Sequence, residues 1–258
     1  MVDSLKENIR RLRESEETLR QYSTHLEDQV RERTAELEES SRAANLYLDI
    51  MVHDINNANT VAIGYTQFLA DALEGEQQEM AKKMLSRLNQ SSYVIRCVAT
   101  LRKARESEVV LTWMDLDGVI REQVANHLEG RVQYEGHPVT VLADDLLPQV
   151  FANLLGNATK FGGPAVGITV RVEERGEEVV VSVEDDGPGI PDAMKRELFR
   201  RFQKGEGELT GAGLGLYICR MLIERYGGRI WVDNRIPGEP ECGVAVRFTL
   251  RKVGEGRR

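Results

Sequence analysis

The stretch "EEVVVSVEDDGPGIP", residues 177 to 191, decides the fold of the carboxyl-terminal half of the chain. Its β-branched residues predict a strand, and the glycines that follow predict a turn. A strand that ends in an acid and a glycine turn places a carboxylate at the mouth of a pocket. There Asp185 can accept a hydrogen bond from an exocyclic amine such as that of adenine. Gly187 and Gly189 let the backbone approach a ligand without a Cβ in the way.

Strand-like and helix-like segments alternate on both sides of this stretch. The loop "ERGEE" separates it from the preceding run "AVGITVRVEE" and predicts an antiparallel hairpin. The segments "IPDAMKRELFRRF" and "GLGLYICRMLIERYGG" are predicted to be helical, and the second ends at two glycines, as a helix C-cap should. We therefore expect an α+β sandwich with one layer of helices and one of strands over residues 115–258, after a linker at 108–114.

Two asparagines share one face of a predicted helix in "NLLGNATKF", residues 153 to 161. Asn153 and Asn157 are four residues apart, and asparagine is a poor residue for a helix interior, so the pair needs a reason. An amide oxygen is a hard ligand for Mg²⁺, and Lys160 can reach a phosphate group. A single asparagine is most often only a polar surface residue, but this pair shares its domain with the acid and glycine turn.

A second glycine cluster, "TGAGLGL" at residues 210 to 216, precedes a predicted helix. The N–H groups of Gly211, Gly213 and Gly215, together with the positive end of the helix dipole, form an anion site suited to phosphates. The cluster does not fit a dinucleotide fold, which requires it after the first strand of a parallel unit.

The amino-terminal half is predicted to be helical throughout. From Leu5 to Ala44 there is neither glycine nor proline, and a narrow apolar seam predicts a partner helix, most simply that of a second chain. A solvated single helix is the alternative. Two further helices meet at "LEGEQQ", residues 73 to 78, and predict an antiparallel hairpin. We assign residues 1–44 to a signalling coiled coil and 45–107 to the hairpin, two copies of which would form a four-helix bundle.

Composition excludes several classes of function. The chain has 258 residues and a formal net charge of −8, so it lacks the basic field that nucleic-acid binding requires. Three cysteines without paired spacing indicate neither a disulfide framework nor a zinc site. No run of about 18 apolar residues predicts a membrane span in this chain. We expect the chain to be cytoplasmic. We also expect it to be a fragment, such as the cytoplasmic portion of a membrane-anchored sensor.

Four motifs in order resemble those of two-component sensor histidine kinases. "NLLGNATKF" is similar to the N box of that family, "DDGPGIP" to its first glycine box, "LFRRF" to its F box and "GAGLGL" to its second glycine box. The resemblance covers about Ala44 to Lys252. It implies an α+β chain in which an N-terminal coiled coil and a helical hairpin form a dimeric four-helix bundle, followed by an α/β sandwich ATP-binding domain.

The resemblance also implies a nucleotide site for ATP and Mg²⁺. Asn157 would be the metal ligand, Asn153 its supporting neighbour, Lys160 a phosphate contact, and Asp185 the acceptor for the adenine amine. A lid would span about residues 195–210. The other residues of the implied site are Gly187, Gly189, Phe199, Phe202, Gly211, Gly213, Leu214 and Gly215.

In this family the first hairpin helix carries a phosphoacceptor histidine, and "LDIMVHDINNANT" at residues 48 to 60 supplies His53. Asp54 would hydrogen-bond the other ring nitrogen and fix the tautomer. Asn57 would orient water when a partner is dephosphorylated, and Ala58 stands where many members have proline, which predicts a straighter helix. The expected partners are a second copy of the chain and the receiver domain of a response regulator, whose aspartate accepts the phosphoryl group.

Other interpretations stay open from the sequence alone. His53 could be an ordinary helix histidine. The chain could be an ATPase of the same superfamily, a phosphatase-only relative, or a non-catalytic dimeric scaffold. A phosphorylated His53 separates these alternatives, since ATP hydrolysis alone leaves no phosphohistidine on the protein.

Overall fold

The computed structural model describes residues 2–106, 109–127, 131–163, 165–195, 197–199 and 214–252. Packing divides the chain into two compact units, Met1–Ala58 and Asn59–Arg258. The boundary falls inside the first helix, α1 (Val2–Ala72), which contributes to both units. The helix continues without a break through Ala58, as the absence of proline at this position predicts.

In the first unit, α1 exposes its apolar seam. The side chains of Leu19, Leu26, Val30 and Leu37 are between 57% and 71% exposed. A single helix cannot bury a seam this narrow, because its own backbone offers nothing to pack against it. The coiled coil with a second chain remains a prediction.

In the second unit, α2 (Gly75–Glu106) reverses the chain direction after α1. Gly75 takes a positive φ of 63°, which glycine tolerates without strain. The chain turns within the predicted segment 73–78, but only residues 73 and 74 lie outside the helices, since α2 already begins at Gly75. Asn59 Nδ2 donates a hydrogen bond of 3.1 Å to Ser91 Oγ across the two helices. A polar contact therefore joins the two helices of the hairpin.

The remainder of the second unit is the predicted α/β domain. Its described elements are β1 (Thr112–Asp115), α3 (Leu116–Asn126), β2 (Arg131–Glu135), β3 (Thr140–Ala143), α4 (Leu147–Gly162), β4 (Gly167–Arg175), β5 (Glu178–Asp185), α5 (Asp192–Lys195), α6 (Gly215–Arg225), β6 (Ile230–Ile236) and β7 (Glu239–Arg251). The main sheet has the order β2-β4-β5-β7-β6, in which only the β2–β4 pair is parallel. The antiparallel hairpin of β4 and β5 was predicted and is confirmed.

The core lies between the sheet and helices α4 and α6. The rings of Phe151 on α4 and Phe248 on β7 meet edge to face, with centroids 5.7 Å apart. Cys97 and Ala104 of α2 are buried in the same apolar cluster. The end of the hairpin is therefore packed into the core of the α/β domain.

The other face of the sheet carries charged side chains that pair across strands. Glu184 is only 8% exposed, and its carboxylate lies between the guanidinium groups of Arg171 and Arg247. A buried carboxylate needs such partners, because desolvation without compensation is costly. These pairs explain why β5 is buried on both faces.

Two segments differ from their predicted form. β1 lies partly within the predicted linker, where it pairs with β3 in a separate two-stranded sheet. The segment "IPDAMKRELFRRF" was predicted to be one helix, but the described part contains only the four-residue helix α5, followed by a turn at residues 197–199. Lys195 bonds both Asp192 and Asn234, which ties this short helix to β6.

Candidate nucleotide and phosphoacceptor sites

Asp185 ends β5, where the sequence predicted a carboxylate at the mouth of a pocket. Its Oδ1 accepts a hydrogen bond of 3.0 Å from the N–H of Gly187. Burial raises the pKa of Asp185, and hydrogen bonds from the backbone N–H groups of Gly187 and Val244 partly oppose that rise. A partly desolvated carboxylate gains more from a further donor than a solvated one does.

Glycines shape the turn that follows Asp185. Gly189 has a φ of 72°, and a Cβ there would collide with the carbonyl oxygen of Pro240. A Cβ on Gly187 would lie 2.9 Å from the Cα of Gly162, at the end of α4. The turn therefore packs against two other segments of backbone, which only glycine allows at these positions.

The second acid of the pair anchors the same turn. Asp186 Oδ1 accepts a hydrogen bond of 2.7 Å from the N–H of Gly167, and the Asp186 N–H donates to the carbonyl oxygen of Gly167 at 3.1 Å. Asp186 thus fixes the turn to the start of β4. The sequence pattern predicted a role only for its neighbour Asp185.

Helix α4 carries the asparagine pair. Pro148 lies in its first turn, where a missing N–H costs little. Asn153 is 2% exposed, and its Nδ2 has no hydrogen-bond partner among the described residues. Asn157, one turn on, is half-buried, and its Nδ2 lies 3.6 Å from the point that a Cβ on Gly215 would occupy. The fold therefore brings Asn157 to the start of α6.

Helix α6 begins at Gly215, and the residue before it, Leu214, supplies no side-chain cap. Leu214 takes the N-cap position, is buried, and provides no side-chain hydrogen bond to the first turn. Its apolar side chain leaves the first N–H groups of the helix without a cap acceptor from this residue. Such groups favour an anion, as the glycine cluster predicted.

The other predicted nucleotide residues fall into two groups. Partial desolvation lowers the pKa of Lys160, whose Nζ lies 5.3 Å from the ring centroid of Phe161. Phe199 is buried. Phe202, Gly211, Gly213 and most of the predicted lid lie outside the described residues.

The donors at this site fit a magnesium ion shared with phosphates. Among the described residues, no cluster of three or more His, Cys, Asp or Glu side chains could hold a metal alone. Mg²⁺ does not require such a cluster, because it retains several waters and binds through one or two protein oxygens together with phosphates. The amide of Asn157, beside the first turn of α6, can supply one such oxygen.

His53 lies on α1 in the first unit, with a side chain that is 73% exposed. Its Nδ1 is 3.1 Å from Asp54 Oδ1, and Asn57 Nδ2 is 3.4 Å from both ring nitrogens. We assign the proton to Nδ1, since Asp54 can only accept, which leaves a lone pair on Nε2. The three residues predicted as one group thus lie within hydrogen-bonding distance on a single helix.

Two sets of contacts were not found by sequence reasoning. A Cβ on Gly215 would overlap the hydroxyl of Tyr93, which belongs to α2. Arg225 Nε donates to the buried Asp144 at 2.9 Å, and Tyr226 Oη donates to the same carboxylate at 2.5 Å. The partners in these contacts are separated by 81 residues or more, and no local pattern marks them.

Residues 143–254 match the family described as histidine kinase-, DNA gyrase B- and HSP90-like ATPase. The sensor histidine kinase AruS of Pseudomonas aeruginosa is 33% identical over 244 residues, which cover 82% of this chain and 24% of AruS. The solved structure of the mycobacterial sensor histidine kinase MprB is 26% identical with a TM-score of 0.51, over 55% of this chain and 98% of that one. Histidine kinase ThkA, solved in complex with the response regulator protein TrrA, is 29% identical with a TM-score of 0.51, over 88% of this chain and 65% of that one.

The α/β domain is thus an ATP-binding domain of the type shared by histidine kinases, DNA gyrase B and HSP90. With the helical region before it, the chain contains the catalytic core of a sensor histidine kinase. The chain spans about a quarter of the length of AruS. Within the described residues, no helix has both the length and the apolar character that crossing a membrane requires.

Proposed function

We propose that this chain transfers the γ-phosphoryl group of ATP to His53 and then to an aspartate of a response regulator receiver domain. The observation that carries the proposal is the group of His53, Asp54 and Asn57 on an exposed helix face. An ATPase that only hydrolyses nucleotide has no use for an exposed imidazole held by a carboxylate. The solved complex of ThkA with TrrA supports the proposed class of partner.

At His53 the reaction forms one bond and breaks one. The lone pair on Nε2 attacks the γ-phosphorus, an N–P bond forms, and the bond between the γ-phosphorus and the bridging oxygen breaks to release ADP. The ring gains positive charge as this happens. Asp54, 3.1 Å from Nδ1, stabilises that charge and accepts the Nδ1 proton when the ring loses it.

The nucleotide would be held by groups from α4, β5 and α6. Asp185 would accept from the adenine amine, while the first turn of α6 and Lys160 would face the phosphates. Bound Mg²⁺, held by Asn157, would supply charge neutralisation on those phosphates. The remaining task of the chain is positioning, which is most of catalysis in phosphoryl transfer.

Asn57 supports a second activity at the same helix face. Its amide lies one turn from His53, close enough to orient a water molecule against a phosphorylated partner held there. We infer that the same surface both phosphorylates and dephosphorylates a receiver domain. Asn57→Ala would then reduce loss of phosphate from the receiver more than it reduces labelling of His53.

We further infer that the chain acts as a homodimer. In the second unit, Val61, Tyr65 and Phe68 step by four and three along α1 and are between 59% and 71% exposed. Hydrophobic side chains at this spacing form one apolar stripe. A second copy of the hairpin would bury that stripe in a four-helix bundle.

Labelling with γ-labelled ATP tests the proposal directly. We expect wild-type chain to acquire acid-labile, base-stable label, and His53→Ala and Asn157→Ala to acquire none. His25→Ala is the matched control, because His25 is an exposed histidine on the same helix and should leave labelling unchanged. Label retained in His53→Ala would refute the proposed phosphoacceptor.

A further inference from the structure

The last three turns of α2 lie along α6 from end to end. Tyr93 contacts the start of α6 at Gly215, and Arg225, at its end, donates to the carbonyl oxygen of Ala104 at 2.6 Å. Cys97 and Cys219, between these ends, are buried in one apolar cluster. The matching spacing along both helices shows that they run side by side in the same direction.

The Tyr93 hydroxyl lies against Gly215, the first residue of α6, where it would overlap any Cβ. A methyl group added at Gly215 would overlap this hydroxyl, and Asn157 Nδ2 lies 3.6 Å from the same point. Burial raises the pKa of Tyr93, and the thiols of Cys97 and Cys219 add to the rise. The hydroxyl is therefore a neutral group that does not replace a phosphate charge at this helix end.

We propose that Tyr93 and the phosphates of a bound nucleotide compete for the first turn of α6, so that nucleotide binding separates α2 from α6 at this end. The inference rests on the proposed nucleotide site. A phosphate bound at the first turn of α6 would need room beside Gly215, where even a methyl group would overlap the Tyr93 hydroxyl. Coupling between two binding events is reciprocal. Packing of α2 against α6 must therefore weaken nucleotide binding by the same free energy by which bound nucleotide weakens that packing.

The far end of the two helices is held by a separate set of bonds. Arg225 joins the end of α2 to the buried carboxylate of Asp144, and Lys103 forms an ion pair with Asp145. None of these groups belongs to the proposed phosphate site. The competition is therefore confined to the Tyr93 end, and the chain can release that end while α2 stays attached at the other.

Calorimetric titration of the full chain with ADP tests the competition. We expect Tyr93→Ala to bind ADP about fivefold or more tightly than wild type, the lower limit of typical couplings. Tyr93→Phe should show a smaller gain, since it removes only the hydroxyl. Tyr22→Ala is the matched control, because Tyr22 is an exposed tyrosine on α1 and its removal should not change the affinity.

The native cysteines report separation of the helices without any change at Tyr93. Cys97 is 3% exposed, so a maleimide should label it slowly. In a Cys242→Ser background, which removes the partly exposed third thiol, we expect ADP to speed labelling of Cys97 and adenosine, which lacks phosphates, to leave it unchanged. Peptide mass spectrometry identifies the labelled thiol.

The outcomes separate this inference from the proposed function. Wild-type chain that binds no ADP contradicts the nucleotide site itself. The competition is overturned, while the nucleotide site stands, if three results occur together. The wild-type chain binds ADP, Tyr93→Phe binds ADP with the same affinity, and ADP leaves Cys97 labelling equal or makes it slower. Should Tyr93→Ala fail to fold, as judged by circular dichroism, the Tyr93→Phe affinity and the labelling rates decide.

Discussion

Replacement of Asp185 by asparagine isolates the contact proposed to select adenine. Hydrogen bonds to charged groups contribute about 1.5–3 kcal/mol, and neutral ones about 0.5–1.5 kcal/mol. The asparagine keeps an acceptor oxygen for the amine and for the Gly187 N–H but loses the charge. We therefore expect ATP affinity to fall by about 1–1.5 kcal/mol, which is about 5-fold to 15-fold in Kd at 25 °C.

A second nucleotide makes this prediction more specific. Inosine triphosphate carries a carbonyl where ATP carries the exocyclic amine, so the carboxylate of Asp185 would face another acceptor and repel it. The asparagine side chain in Asp185→Asn can instead turn its NH₂ group toward that carbonyl. The preference for ATP over inosine triphosphate should therefore shrink in Asp185→Asn. Calorimetric titration with both nucleotides measures the ratio.

Asp185→Asn should lower the affinity for ATP without lowering the stability of the folded chain. Burial raises the pKa of Asp185, so the folded chain binds this proton more tightly than the unfolded chain does. Stability then declines as the pH rises from the unfolded pKa through the folded one, and the carboxylate remains unfavourable above both. Asp185→Asn removes that cost, and we expect a Tm at pH 7 equal to or above that of wild type.

Asp186→Asn is the matched control, because it changes the adjacent acid, whose Oδ1 accepts from the Gly167 N–H. It should leave the nucleotide ratio unchanged. The assignment of Asp185 is refuted if Asp185→Asn binds ATP as wild type does, or if both variants alter the ratio equally.

Three further variants test the turn, the buried carboxylate and the dimer. In Gly189→Ala the new Cβ collides with the carbonyl oxygen of Pro240, and alanine must also adopt the positive φ of residue 189. This variant should destabilise the chain by about 1–3 kcal/mol or more in urea unfolding. Asp144→Ala removes the carboxylate that balances the charge of the Arg225 guanidinium, which is 9% exposed, and should cost about 3–5 kcal/mol in the same assay, whereas a loss below about 1 kcal/mol would contradict the contact. Phe68→Glu places a charge in the exposed apolar stripe and should convert a dimer to a folded monomer in light scattering; a wild-type monomer would contradict the dimer.

The sequence predicted the features that depend on neighbours along the chain. The helical spacing of His53 and Asn57 puts both on one turn, and the strand before Asp185 puts its carboxylate at the end of β5. Such patterns can be recognised because helix and strand periodicity convert sequence distance into spatial distance. The hairpin of β4 and β5 follows from the same logic, since a short polar loop joins two β-branched runs.

The contacts that were missed join distant parts of the chain. Tyr93 and Gly215 are brought together only by packing of α2 against α6, and periodicity within either helix carries no information about the other. The bond between Asp144 and Arg225 likewise depends on how α4, α6 and the end of α2 meet. β1 was assigned to a linker because four residues are too few for a reliable strand pattern, and its partner β3 lies beyond α3 and β2.

Helix α2 connects the hairpin that it forms with α1 to the ATP-binding domain within three residues. Ser91 accepts a hydrogen bond from Asn59 of α1, and Tyr93, two positions later, contacts the first turn of α6. An α-helix is stiff over so short a distance, so a shift of α1 against α2 that moves Ser91 also moves Tyr93. If Tyr93 competes with nucleotide phosphates, a change of packing inside the hairpin alters nucleotide affinity directly. The same coupling requires that bound nucleotide alter the packing of α1 against α2. The effect of packing on nucleotide affinity and the effect of nucleotide on packing have the same coupling free energy.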